Sequence, residues 1–145
     1  MRAYIENVIT QEEAKSILHL KDDLSALYEN PVVLRVKDII EKKVGLIDWD
    51  PPTYMRVEEN GKHDWHIDTG YKPPGHMKWC EYGCSILLNE DKDSGFLEYR
   101  DDIKLNNYLG LAIHSSDVEH RISPYKGIRE TFLVFVKKKN KKEGE

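Results

Sequence analysis

The chain has 145 residues, and at roughly 100–200 residues per domain that predicts one domain over 1–145 and excludes a multi-domain enzyme. Its 22 Lys+Arg against 26 Asp+Glu give a formal charge of −4, which argues against a nucleic-acid binder that relies on whole-surface attraction to phosphate. Apolar residues make up 39%, below the ~45–50% usual for globular chains on a count that also includes Gly, so a small core is expected.

In chain order, Thr10 and Glu13 have the spacing of a capping box, and Ala14, Ile17, Leu18, Leu24, Leu27 and Tyr28 recur at helical intervals, predicting a helix from about Gln11 to Tyr28. Pro31 suits a second helix start; Val33, Val36, Ile40 and Val44 form its apolar stripe and Gly45 its end. The helices thus occupy about 11–45. From Trp49 the pattern changes to short β-like runs: Thr53–Val57, Lys62–Asp68, Tyr82–Leu88, Gly95–Tyr99, Tyr108–His114, Asp117–Ile122 and Ile128–Val136. Turns are expected at Glu59-Asn60-Gly61, Pro73-Pro74-Gly75, Asn89 to Ser94 and Ser123 to Gly127. This β region, about 49–136, reads as an antiparallel sandwich or barrel. The lysine-rich tail, 137–145, reads as a solvated end.

No apolar stretch reaches the ~18–20 residues of a bilayer span, and Glu6 falls where a signal peptide needs its hydrophobic segment. Cys80 and Cys84 are too few for a disulfide framework. A soluble, cytoplasmic protein without membrane partners is expected.

The chemistry is concentrated in Trp65-His66-Ile67-Asp68-Thr69. Alternate residues of a strand project to one face, so His66 and Asp68 can present an imidazole nitrogen and a carboxylate to one point. His120, on a late strand candidate, is the expected third ligand; His114 competes with it. Two histidines and one carboxylate on one side of a metal leave the opposite positions open, the facial arrangement that suits non-haem Fe(II) oxygenases. Arg129 follows His120 by nine positions, and an antiparallel hairpin return over Pro124 and Gly127 is expected to bring it beside that ligand. Thr131 shares its strand face, as do Leu133 and Phe135. A guanidinium inside a barrel needs an anion, and its planar fork fits a carboxylate. 2-Oxoglutarate has that carboxylate and, at its other end, a group that chelates iron. His76, Cys80 and Cys84 recur every four residues and raise a thiolate-rich zinc site as an alternative use of that segment. Tyr71 and Trp79 are candidates to line a substrate groove.

These segments resemble the Fe(II)- and 2-oxoglutarate-dependent dioxygenases, in their prolyl 4-hydroxylase-like branch. Tyr4 to Thr10 with Glu12 and Glu13 is similar to its opening strand and helix, and His66-Ile67-Asp68-Thr69 to its first metal motif. Ile86 to Asn89 with Ser94-Gly95-Phe96-Leu97 resembles its middle strand and turn. Gly110 to Ile113, Glu119 to Ile122 and Gly127 to Thr131 resemble its closing motif. The resemblance implies a mostly β, jelly-roll or cupin-like double-stranded β-helix with the two N-terminal helices packed on the sheet. It implies Fe(II) on His66, Asp68 and His120, 2-oxoglutarate on Arg129 and Thr131, and O2 as the other co-substrate, with no catalytic side chain beyond the metal ligands. The branch has a tyrosine before the H-x-D strand, for which Tyr54 is the candidate, since Arg56 and Val57 occupy the expected place. Where prolyl hydroxylases carry a tryptophan this chain has Phe135, a further groove candidate. The implied reaction is hydroxylation of a C–H bond with release of succinate and CO2. A prolyl residue of a peptide or protein is the expected substrate, and a free amino acid or small metabolite the alternative. A non-catalytic cupin-like metal-binding module, or an adaptor that contacts nucleic acid through its lysine-rich tail, are the readings of other classes.

Overall fold

The computed structural model describes residues 1–49, 53–68, 80–90 and 95–139. Strand β1 (Arg2–Ile5) leads into helix α1 (Gln11–Leu18). The capping box forms: Thr10 Oγ1 accepts from the Glu13 amide at 3.1 Å, and Glu13 Oε1 from the Thr10 amide at 3.0 Å. The single helix expected to Tyr28 is instead two. Turn bonds from the Leu20 amide to Ile17 O and from the Asp23 amide to Leu20 O end the first. Asp23 Oδ1 then caps α2 (Leu24–Glu29) through the Ala26 amide at 3.0 Å. A short acidic side chain competes for backbone donors, which makes it a better cap than helix interior. Asn30 caps α3 (Pro31–Val44) through the Val32 amide, and Gly45, at φ 97°, ends it. Ile17, Leu27, Val33, Val36 and Ile40 are fully buried in the core shared with the sheet.

Arg35 lies against Glu13 at 2.7 Å, and that contact, with the Thr10 amide, holds the Glu13 carboxyl down to about 2. A carboxyl depressed in the fold stabilises above its unfolded value of 4.5 and loses that contribution as pH falls toward 2. Glu13→Gln keeps the capping acceptor and removes the charge. In urea titrations it is therefore expected to cost under ~1 kcal/mol at pH 7, a difference that vanishes near pH 2.

The remaining strands are β2 (Ile47–Asp48), β3 (Thr53–His66), β4 (Tyr82–Leu87), β5 (Leu97–Tyr99), β6 (Lys104–Leu105), β7 (Leu111–Ser115) and β8 (His120–Lys138). They form a sheet in the order β1-β7-β4-β8-β5-β6, with β2 and β3 also paired to β8 and every named pair antiparallel. The fold is mostly β, with its N-terminal helices packed on one face of a curled sheet. Phe132, Val134 and Val136 alternate into the helix-side core, and Arg129, Thr131, Leu133 and Phe135 line a cavity on the other side.

The turns expected at Glu59-Asn60-Gly61 and around Pro124 and Gly127 are not reversals. β3 and β8 pair from Thr53–Val134 to His66–His120, and the interruptions are absorbed as bulges. Between the pairs Glu59–Ile128 and His63–Ile122, β8 uses two more residues than β3, which bends the ribbon. Asn60, at φ 48°, and Gly127, at φ 81°, take up the left-handed backbone, and the Gly127 amide donates to Asn60 Oδ1 at 2.8 Å. Arg129 therefore does not return to His120 by a hairpin. Both lie on β8, and the bend lets the two halves of one strand face the same cavity.

Candidate metal centre

His66 ends β3, Asp68 follows it two residues later, and His120 opens β8 directly opposite His66 in the ladder. One ligand atom from each lies within 4.8 Å of the others. Asp68 Oδ1 is 3.3 Å from His120 Nε2 and 3.9 Å from His66 Nε2. Each histidine is oriented from behind. His66 Nδ1 donates to the Asp64 carbonyl at 2.7 Å and His120 Nδ1 to the Val118 carbonyl at 2.8 Å. With the proton on Nδ1, the Nε2 lone pair of each ring is directed at the shared point, the tautomer a metal ligand needs.

Burial pushes the His66 imidazole below its ordinary value and so favours its neutral, ligating form. For Asp68 burial acts the other way, but the hydrogen bond from His114, with the His120 imidazole beside it, outweighs it and holds the carboxyl below the usual carboxylate range. Two imidazoles and one carboxylate, buried or half-buried with their outer atoms satisfied, fit a divalent transition metal with open positions.

His114, the competing ligand candidate, stands behind the centre. Its Nε2 is 2.9 Å from Asp68 Oδ2 and its Nδ1 3.1 Å from the Tyr99 hydroxyl. Sequence reasoning weighed His114 as a competing ligand and did not connect it with Tyr99. The available signal was the polar His114 in an otherwise apolar run, Leu111-Ala112-Ile113.

The same cavity holds Arg129 and Thr131, 4% and 3% exposed. Burial pushes the Arg129 guanidinium down to about 10, with neighbouring Arg56 acting in the same direction. Thr131 Oγ1 is buried with no hydrogen-bond partner among the described residues, a hydroxyl that a ligand oxygen would satisfy. Arg56 pairs with Thr131, and Glu58 with Arg129, across the β3–β8 ladder. Glu58 Oε1 takes Arg56 Nε at 2.7 Å and His63 Nε2 at 2.8 Å. Among the described residues this wall thus carries two guanidiniums and one carboxylate. Arg56 is the residue the sequence reading passed over. It shares a strand face with Tyr54 and lines the cavity.

Tyr54 stacks on Phe135, ring centroids 6.3 Å apart, in a small cluster with Cys80 and Leu133. Phe135 lines the cavity. Tyr71, Trp79 and His76 lie outside the described residues. Trp65 carries the guanidiniums of Arg100 and Arg121 over its ring, at 4.0 and 5.2 Å. Arg100 also pairs with Glu119. Burial raises the Cys80 thiol to about 12 and the Cys84 thiol further. Among the described residues, no helix is long and apolar enough to cross a membrane.

No family model matches this sequence, and no curated protein matches it. Solved structures do. A prolyl-4-hydroxylase from Pseudomonas putida superposes with a TM-score of 0.67 at 10% identity, over 96% of this chain and 88% of that one. The viral collagen prolyl hydroxylase of Paramecium Bursaria Chlorella virus-1, solved with 2-oxoglutarate, gives 0.69 at 10% identity over 96% of both chains. EvdO2 of Micromonospora carbonacea var. aurantiaca, also complexed with 2-oxoglutarate, gives 0.64 at 15% identity, over 98% of this chain and 88% of that one. The fold is therefore the double-stranded β-helix of the 2-oxoglutarate/Fe(II) oxygenases. The structures that share this fold with it include two prolyl hydroxylases.

Proposed function

We propose that residues 1–145 form one catalytic domain, an Fe(II)- and 2-oxoglutarate-dependent dioxygenase. The observation that carries this reading is the meeting of two parts in one cavity: the His66, Asp68 and His120 donors, and the buried Arg129 and Thr131. Fe(II), when bound, supplies the oxygen chemistry that couples decarboxylation of 2-oxoglutarate to C–H hydroxylation. The protein's residues bind and orient. His66, Asp68 and His120 hold the metal from one side. Arg129 pairs with the far carboxylate of 2-oxoglutarate, Thr131 Oγ1 donates to it, and Arg56 adds a second positive charge to the same wall. These contacts set which end of the co-substrate reaches the metal. Similarity to two prolyl hydroxylases supports a prolyl residue of a peptide or protein as the substrate, with Phe135 and its partner Tyr54 on the groove side.

The test is turnover by the full chain. With Fe(II), 2-oxoglutarate and O2, succinate is expected to form in step with 2-oxoglutarate loss, and a proline-containing peptide is expected to accelerate it. A protein that retains Zn or Ni and leaves 2-oxoglutarate intact is a metal-binding module instead, and that outcome overturns the proposal. Conversion accelerated by a free amino acid and not by the peptide moves the substrate to a small metabolite.

A further inference from the structure

His114 and Tyr99 are buried polar residues that the proposed reaction does not use. They are 5% and 3% exposed, and Asp68 is 5%. Their hydrogen bonds have one consistent direction. An ionised Asp68 can only accept, so His114 Nε2 carries the proton and donates to Oδ2 at 2.9 Å. A neutral imidazole protonated on Nε2 accepts on Nδ1, so the Tyr99 hydroxyl donates to it at 3.1 Å. The chain runs from Tyr99 through His114 into the back of Asp68.

The backbone makes room for this contact. A Cβ on Gly83 would lie 2.2 Å from Asp68 Oδ2 and 3.0 Å from His114 Nε2. Gly83 is thus the position on β4 where the missing side chain leaves space for the carboxylate to meet the imidazole. The two Asp68 oxygens are thereby made unequal. Oδ2 is taken by His114, while Oδ1 faces His120 Nε2 and His66 Nε2.

We infer that Tyr99 and His114 are positioning residues that reserve Asp68 Oδ2 and so present Oδ1 alone to the metal. This rests on the metal-centre reading proposed above. A carboxylate that binds through one oxygen takes one coordination position, and one that binds through both takes two. Holding Oδ2 back therefore keeps a position available for the co-substrates. Outer partners of this kind change metal affinity by ~10–100-fold when lost, because the ligand is no longer oriented.

The test uses Co(II), whose visible absorption reports coordination number, titrated into the metal-free full chain. The parent is expected to bind Co(II). His114→Leu is expected to weaken binding by about 10-fold or more and to change the absorption as Asp68 turns to offer both oxygens. His114→Gln, whose amide nitrogen replaces the Nε2 donor, is expected to restore the parent spectrum and most of the affinity. Tyr99→Phe, which leaves His114 in place and frees its tautomer, is expected to weaken binding by a few-fold and carries the test if His114→Leu does not fold. A parent that binds no Co(II) overturns the metal-centre reading together with this one. If the parent binds and His114→Leu matches it in affinity and spectrum, or His114→Gln does no better than His114→Leu, the positioning role alone is overturned. If His114→Leu does not fold, Tyr99→Phe with parent affinity and spectrum overturns it.

Discussion

Replacing His66 with alanine is expected to lower affinity for Fe(II) by well over the ~10–100-fold typical of losing an outer partner, and to bring succinate formation to background. The centre has three donors among the described residues, so the variant keeps two, and among the described residues no neighbouring donor takes the vacated place. His114 is the nearest imidazole to consider, but its Nε2 is committed to Asp68 Oδ2 at 2.9 Å and its Nδ1 to Tyr99. His63 is held by Glu58 at 2.8 Å. The fold should be unaffected, because His66 is half-buried at the end of β3 and outside the apolar clusters. Metal titration of the apo-protein separates this from loss of structure. Parent-like turnover by His66→Ala would remove the metal-centre reading.

The donors of that centre were legible in the sequence because His66 and Asp68 are two apart, the spacing at which a strand puts residues on one face, although the strand expected to Asp68 ends at His66 and Asp68 lies in the turn just past it. Thr131, Leu133 and Phe135 were legible for the same reason, since local periodicity specifies a face without any knowledge of partners. What was not legible is what depends on pairing. The route from His120 to Arg129 was read as a hairpin because Pro124 and Gly127 are turn-forming residues. A long partner strand keeps hydrogen bonding through them, and Asn60 and Gly127 convert the expected reversal into bulges. The helix break over 19–23 was hidden by an apolar spacing that stays helical on both sides of it, whereas capping by Asp23 outweighs one continuous helix.

The Tyr99–His114–Asp68 contact joins β5, β7 and the turn just after β3, three segments with no sequence proximity. A histidine on an apolar run reads equally well as a ligand, a packed side chain or an outer partner until its neighbours are known. Arg56 was hidden differently. Its place was noticed as the absence of an expected tyrosine, while the ladder pairs it with Thr131 and gives the cavity a second guanidinium.

That second guanidinium sharpens the prediction for the first. Arg129→Leu is expected to weaken 2-oxoglutarate binding by ~2–4 kcal/mol, or about 30- to 1000-fold, because the co-substrate's carboxylate would enter a buried wall with its main partner gone. Arg129→Lys keeps the charge and loses the two-pronged fork, so an intermediate loss is expected. Arg56→Gln should cost less than either. Arg56 is 22% exposed and held by Glu58 at 2.7 Å, so solvent and an existing anion already screen it. Binding of 2-oxoglutarate to the Mn(II)-loaded protein, measured calorimetrically, orders the three variants. Metal affinity serves as the control, expected unchanged because Arg129 supplies none of the three ligand atoms. The reverse order, Arg56→Gln worse than Arg129→Leu, would place the carboxylate on β3 instead of β8, along the same wall. No loss in either variant would mean that this end of the cavity holds no carboxylate, leaving a metal centre without its co-substrate.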